Sequence, residues 1–422
     1  MIDTKVGICI VGAGPAGLMA AIHAASSKVP TLVVETNADA GRKLLLTGGG
    51  RCNFTHAADP GELAKAFGKA GRFLRHSLYE LSPDDMREFF RSRGLASTVE
   101  PDGCVFPKNH RATDVRDILL NEAQERGVQF QFRCRVKDVT LKDGGFRIHA
   151  ENRQIFATRL ILATGGVSWP QTGSRGDGYH FAAQLGHTIL PPKPALIPLI
   201  TRETWPGTLA GVSLPGVRIW ATAGGRRLTA TGNMLFTQNG IGGPAVLDLS
   251  RLLADELGPE HAGIDVGIDV LPEVDEAQLD RRLQEQCRTW PRKTVANILS
   301  ELVPRQFSRT VCHVAQCDSD LQAGQLPAER RRCLVRAVKS LPLCVTGAEP
   351  IAKATVTHGG VGREEIDSRT MESKIRPGLF FAGEVIDADG PCGGYNLQMC
   401  WSTGALAGRS AAHSLRSEGK VT

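Results

Sequence analysis

The chain has 422 residues, 41% of them hydrophobic and 22% charged, with a formal net charge of +6. That length calls for more than one domain, because single cores seldom grow past about 250–300 residues; the mild charge argues weakly for anionic ligands, and nucleic acid, which asks for a clustered patch, is not an expected partner. No apolar run approaches the roughly 20 residues that span a bilayer, and the N-terminus lacks a signal-peptide pattern, so no membrane association and a cytoplasmic location are expected.

Val6 to Val11 is an apolar run suited to a strand buried on both faces. Pro15 fits the first helical turn, where its missing N–H costs nothing, and the helix is expected to run through Leu18–Ile22 until Lys28 and Pro30. Thr31 to Glu35 is the next strand, which gives the parallel pairing of a right-handed crossover. Ser82 and Pro83 read as an N-cap and first helical residue, and Thr113 as the cap of a helix that stops at Gly127. Val128, Phe130 and Phe132 alternate with Gln129 and Gln131, which is strand periodicity, and further strands flank the turn at Asp143–Gly145 before an apolar strand enters Leu160–Ala163.

Composition shifts near Pro191, Pro192, Pro194 and Pro198. The expected fold class is α/β: a Rossmann-type FAD-binding domain, with a parallel sheet plus a β-meander, interrupted by a β-barrel-like insertion and a small helical subdomain. The expected boundaries are 1–191 for the first part of the nucleotide domain and 192–272 for the β-rich insertion. A helical subdomain at 273–341, the return of the insertion at 342–355 and the rest of the nucleotide domain at 356–422 complete the chain. Leu343–Val345 and Ala354–Val356 read as strands, and Arg330, Arg331, Arg332 and Arg336 as the solvated face of an amphipathic helix.

The strongest chemical signal is Gly12-Ala13-Gly14-Pro15-Ala16-Gly17, set where strand passes into helix. Gly12 permits the tight turn, Gly14 lets a pyrophosphate approach the backbone, and Gly17 lets helix and strand pack closely. The helix N-terminus then presents amide N–H groups and partial positive charge to phosphates. Glu35, followed by Thr36, ends the second strand 18 residues past Gly17, placed to accept from ribose hydroxyls and to disfavour a 2′-phosphate.

These features leave FAD and NAD open; later segments favour FAD. Gly378-Leu-Phe-Phe-Ala-Gly383-Glu384 is a buried strand ending in glycine and an acid, a common second boundary of flavin sites. Gly394 and Tyr395 follow, and a helix is expected from about Asn396 and Leu397, its amides directed at the flavin. Thr47-Gly48-Gly49-Gly50-Arg51-Cys52-Asn53 suits backbone lying against a flat ligand, with Arg51 and Asn53 as fixed donors. Ala163-Thr164-Gly165 is a further strand-to-glycine turn, on the adenosine side. Arg42, Lys43 and Val136 complete the candidate cofactor contacts; no acid, base or metal ligand is assigned.

Eleven cysteines are scattered without a framework and read as reduced, mostly buried thiols. Cys312 and Cys317 have the spacing of flavoenzyme dithiols but lie in the insertion, so a dithiol mechanism is not expected. Cys52 and Cys392 read as buried, inert thiols, and His358 as a satisfied loop histidine. No second GxGxxG follows a strand, so any nicotinamide binds transiently at the flavin.

The runs GRKLLLTGGGRCN at 41–53, VFPKNHRATDV at 105–115, VTHGGV at 356–361 and TMESKIRPGLFFAGEVIDADGPCGGYNLQMCWSTGALAG at 370–408 are distinctive. Through them the chain resembles the bacterial BaiN-like flavoprotein family, which includes aminoacetone oxidase-type enzymes. The resemblance implies a split FAD domain with a barrel-like insertion and NAD(P)/FAD-dependent oxidoreductase activity. Gln238 and Gly242 stand where the family pattern has histidine and serine. The expected activity is hydride transfer through flavin N5 on an unidentified small molecule, with NAD(P)H as transient co-substrate. An oxygen-using flavin oxidase of a small amine or hydroxyl compound, or a non-catalytic redox sensor, are the alternatives.

Overall fold

The apolar run, loop and helix at the N-terminus fold as their pattern predicts. The computed structural model describes residues 2–25, 29–151, 153–257 and 263–418; the expected helix stop at Lys28 lies outside them. Strand β1 (Ile2–Val11), helix α1 (Pro15–Ala25) and strand β2 (Thr31–Val34) form the opening crossover, with β1 and β2 parallel from Ile8↔Thr31 to Val11↔Val34. Ile8, Cys9 and Ile10 are fully buried, which is why this strand carries no alternation.

Strands β3 (Gln129–Gln131), β4 (Val136–Lys142), β5 (Gly145–Ala150) and β6 (Arg153–Leu162) follow. They build one seven-stranded sheet in the order β3-β2-β1-β6-β5-β4, with Leu379–Phe381 also paired to β6. The ten-residue β6 serves two neighbours along one edge. Its first half, Arg153–Ala157, holds the antiparallel meander, and its second half, Leu160–Leu162, takes Leu379–Phe381 in parallel. The parallel sheet and the meander are therefore one continuous surface.

The C-terminal helix Tyr395–Glu418 packs along α1. Small residues permit this: Cβ atoms on Gly404 and Gly408 would stand 2.3 and 2.2 Å from the carbonyl oxygens of Ala16 and Ala20. The chain divides into two compact units, residues 1–193 with 355–422, and residues 194–354.

The second unit contains a closed six-stranded barrel in the order Leu199–Thr201, Gly240–Gly242, Arg226–Thr237, Ser213–Ala223, Ile264–Asp269 and Leu341–Ala348. The helices Glu276–Thr289, Val295–Leu299, Arg305–Val314 and Ala328–Lys339 share one core with it, where the Phe236 and Phe307 rings lie 5.4 Å apart. Inside the stretch expected to be β-rich there is also a helix, Pro244–Leu252, started by Pro244 at its first position.

Two local expectations need correction. Ser82 does cap Pro83–Arg91, through a full capping box with Asp85. Thr113 does not cap the next helix: Ala112–Glu125 begins after Arg111 with no side-chain cap, and the Thr113 hydroxyl turns to Asp114 instead. Ala354 lies outside the strand expected there, which runs Val356–Val361.

Burial at the end of α1 has a pH consequence. His23 is lowered from 6.5 to about 4, first by burial and then by Arg409 and Arg126. Its folded value lies below its unfolded value, so the unfolded chain binds the extra proton and stability falls as pH drops from about 6.5 towards 4. The full effect is about 3 kcal/mol. Melting temperatures from pH 7 to 4.5 should fall less steeply for His23→Gln than for the parent; identical slopes would remove His23 as the cause. His187, lowered mainly by burial, keeps part of the slope in the variant.

Candidate functional site

Two of the three motif glycines where β1 passes into α1 have a steric reason to be glycine. Gly12 has φ +105°, and a Cβ there would stand 2.5 Å from the Ala163 carbonyl oxygen. On Gly17 a Cβ would stand 1.9 Å from the Gly12 oxygen, so no side chain is admitted. Gly14 differs, for a Cβ there would meet no described atom within 4 Å. The middle glycine is thus unnecessary for packing and leaves a shallow cradle at the start of α1, whose first turn carries no acid.

Glu35 lies at one side of this cradle and is 8% exposed. Its carboxylate accepts from the Ala13 N–H at 2.8 Å and from the Asn37 N–H and side-chain amide at 2.8 and 2.7 Å. A carboxylate has about four acceptor positions, so capacity for a further hydroxyl is retained. Thr36 is exposed beside it, and Arg42 donates to Asn37 at 2.9 Å. Ala163 continues β6 through its N–H to Val11 at 3.0 Å. The neighbouring Thr164 hydroxyl is buried with no hydrogen-bond partner among the described residues. Val136 is buried at the start of β4.

Glu384 gathers three distant segments. It pairs with Lys43 at 2.7 Å, accepts from the Ser168 hydroxyl at 2.9 Å and from the Thr357 N–H at 2.8 Å. Lys43 also donates to Ser168 at 2.7 Å, while the Thr357 hydroxyl accepts from the Val167 and Ser168 amides. Ser168 and Thr357 are fully buried. Sequence reading singled out neither; their signal was present only as residues of TGGVSWP and VTHGGV.

The Thr47–Asn53 loop is a short irregular helical turn with Gly48 and Gly49 at φ +57° and +67°. A Cβ on Gly49 would meet nothing within 4 Å, whereas one on Gly48 would strike Phe106 at 2.9 Å. Gly50 is exposed and has positive φ. Arg51 and Asn53 are braces of this loop: Arg51 pairs with Glu100 at 2.8 Å and covers the Phe106 ring, and the Asn53 oxygen accepts from Val105 at 3.1 Å. Thr47 bonds back to Leu44.

Other candidates also have structural employment. A Cβ on Gly383 would press on Ala16 Cβ at 2.7 Å, and one on Gly394 on the Thr55 oxygen at 2.3 Å. The Asn396 side chain closes the preceding loop onto Gly390 and Pro391, Tyr395 stacks on His56 at 4.5 Å, and Leu397 packs on the core. The final helix starts at Tyr395. His358, expected in a loop, sits in the strand Val356–Val361 with Nδ1 2.8 Å from Asp389.

All cysteines are free. Burial pushes Cys52 and Cys312 up to about 12, well above the range of reactive thiolates. Cys392 is half-buried rather than buried. Gln238 occupies the turn after Arg226–Thr237, and Gly242 is buried in the adjoining strand of the barrel. No helix among the described residues is long and apolar enough to cross a membrane.

Two features of this site suit FAD. The cradle over Gly14 suits a pyrophosphate, and Glu35 suits a ribose. These residues fit the cofactor.

The profile of the HI0933-like protein Rossmann domain matches residues 6–410. The chain is 33% identical over 408 residues to the 3-dehydro-bile acid delta(4,6)-reductase of Clostridium scindens, covering 96% of this chain and 98% of that one. It is 32% identical over 398 residues to the ribosomal RNA dihydrouridine synthase of Escherichia coli, covering 93% and 95%. Among solved structures, 3-ketosteroid delta1-dehydrogenase from Sterolibacterium denitrificans shares the fold with a TM-score of 0.55 at 13% identity, covering 97% of this chain and all of that one. The chain belongs to the HI0933-like Rossmann family, the BaiN-like group of FAD-binding oxidoreductases that its motifs resemble.

Proposed function

We infer that this protein is an FAD-dependent reductase of a carbon–carbon double bond conjugated to a carbonyl, with NAD(P)H as electron source. The observation that carries the cofactor assignment is the Gly12–Gly17 cradle, where the middle glycine alone has room for a Cβ. The reaction class is supported by what the two relatives have in common. A 3-dehydro-delta(4,6) bile acid presents double bonds conjugated to a 3-oxo group, and dihydrouridine arises by saturating the uracil 5,6 bond beside its 4-oxo group.

When bound, FAD supplies hydride exchange at N5. The α1 N-terminus would hold the pyrophosphate with its amides, and Glu35 would take the adenosine ribose. Lys43, Ser168 and Thr357 hold the Glu384 carboxylate in one orientation at the other boundary of the cradle. The loop at Gly48–Gly50, kept in place by Arg51 and Asn53, would hold the flavin.

The test is anaerobic spectroscopy of the purified protein. NADH or NADPH should bleach the flavin bands, and addition of a 3-oxo-4,6-diene bile acid or of uridine-containing RNA should restore them without oxygen. Bands that resist both nicotinamides, or that return only with air, would overturn this reading in favour of an oxidase or a sensor. A protein that takes up no FAD would overturn the cofactor itself.

A further inference from the structure

The exposed side chains at the end of the helix Glu276–Thr289 are not explained by the flavin chemistry. Trp290, the residue after this helix, is 54% exposed, although an indole of its size is ordinarily drawn into a core. Arg288 and Arg292, its near neighbours in sequence, are exposed as well. Lys293 lies against the indole at 4.7 Å from the ring centroid and reaches Glu301 at 3.4 Å.

The framework beneath is rigid. The Lys293 carbonyl accepts from Ala323 at 2.9 Å, and the Pro291 carbonyl accepts from Gly324 at 3.0 Å. This fastens the segment to the loop that leads into Ala328–Lys339. Arg331 then grips Asp280 through two bonds of 2.8 and 3.1 Å, which locks the two helices together. Arg332 and Arg336, one turn apart, stay exposed on the second helix, and Arg332 is near enough to Asp280 to lower its carboxyl further.

We propose that Trp290, with Arg288, Arg292 and Lys293, forms a docking surface for single-stranded RNA. A planar ring held among cations is the combination that stacks a base while engaging its phosphates. A protein partner would ask for an apolar rim around the indole, and here the flanking side chains are Thr289, Pro291 and cations. Glu276, Glu285 and Glu329 are the exposed acids on these helices. The proposal deepens the reductase reading, because a uridine carried on RNA is one of the conjugated acceptors that reading names.

The FAD-loaded protein is titrated, without reductant, into a labelled single-stranded 20-mer RNA of mixed sequence, into the same strand annealed to its complement, and into heparin. Trp290→Ala should weaken single-strand binding about tenfold or more and leave heparin binding unchanged. Arg288→Gln with Arg292→Gln should lower the slope of log K against log salt by about 1.4, at about 0.7 per lost phosphate contact. All three side chains are exposed, so the fold and the flavin spectrum should persist in each variant. Equal affinity for duplex and single strand, or parent-like binding and salt slope in the variants, would overturn the proposal. Because no electron transfer is read, failure of the reductase reading would appear only in the bleaching experiment.

Discussion

Gly14→Val should give a folded protein that purifies without yellow colour. The added side chain starts from a Cβ with no described atom within 4 Å, so the unliganded fold accepts it with little strain. The same atoms occupy the space into which a pyrophosphate must come to meet the α1 amides. An affinity loss of at least about 100-fold, or roughly 3 kcal/mol, is expected. Gly17→Val is the contrasting variant: its Cβ would stand 1.9 Å from the Gly12 carbonyl oxygen, so the fold itself should fail. Absorbance at the flavin bands, read beside a melting curve, separates the two. A Gly14→Val protein that retains stoichiometric FAD would remove the pyrophosphate from this loop.

The contrast between these glycines explains why the cradle was legible in the sequence. Each constraint there is local, a turn, a close approach or a packing contact within a few residues, and the residue type records it directly. The parallel sheet was legible for the same reason, since Val6–Val11 and Leu160–Leu162 are apolar runs. Glu384 was recognised as a strand-end acid, but its partners were not, because Lys43 lies 341 positions away and Ser168 216. No periodicity reports such a pairing. Asn396 and Arg51 carry a second role that the sequence did not announce: Asn396 closes its own loop onto Gly390, and Arg51 pairs with Glu100, 49 positions away. The helix Pro244–Leu252 escaped because the surrounding Gly- and Thr-rich stretch dominates the composition of that region.

Glu384→Leu should be the most damaging single substitution outside the glycine loop. It leaves the Lys43 ammonium, the Ser168 hydroxyl and the Thr357 N–H without their shared acceptor. Lys43 and Glu384 side chains are only 21% and 13% exposed, so water restores little. Breaking a buried pair by deleting one member costs about 3–5 kcal/mol, which in a unit of this size lowers the melting temperature by about 6–20 °C. Lys43→Met alone should be comparably harmful, since it strands the carboxylate. The double variant should be less destabilised than the sum, because neither charge is then left unpaired. FAD affinity should fall in parallel: Gly383, next to Glu384, packs against Ala16 in the cradle, and the Ala13 carbonyl accepts from Gly41, two residues before Lys43, at 2.9 Å. The ion pair therefore ties both margins of the cradle to each other. Additive losses in stability, with FAD affinity unchanged, would show the pair to be incidental to the site.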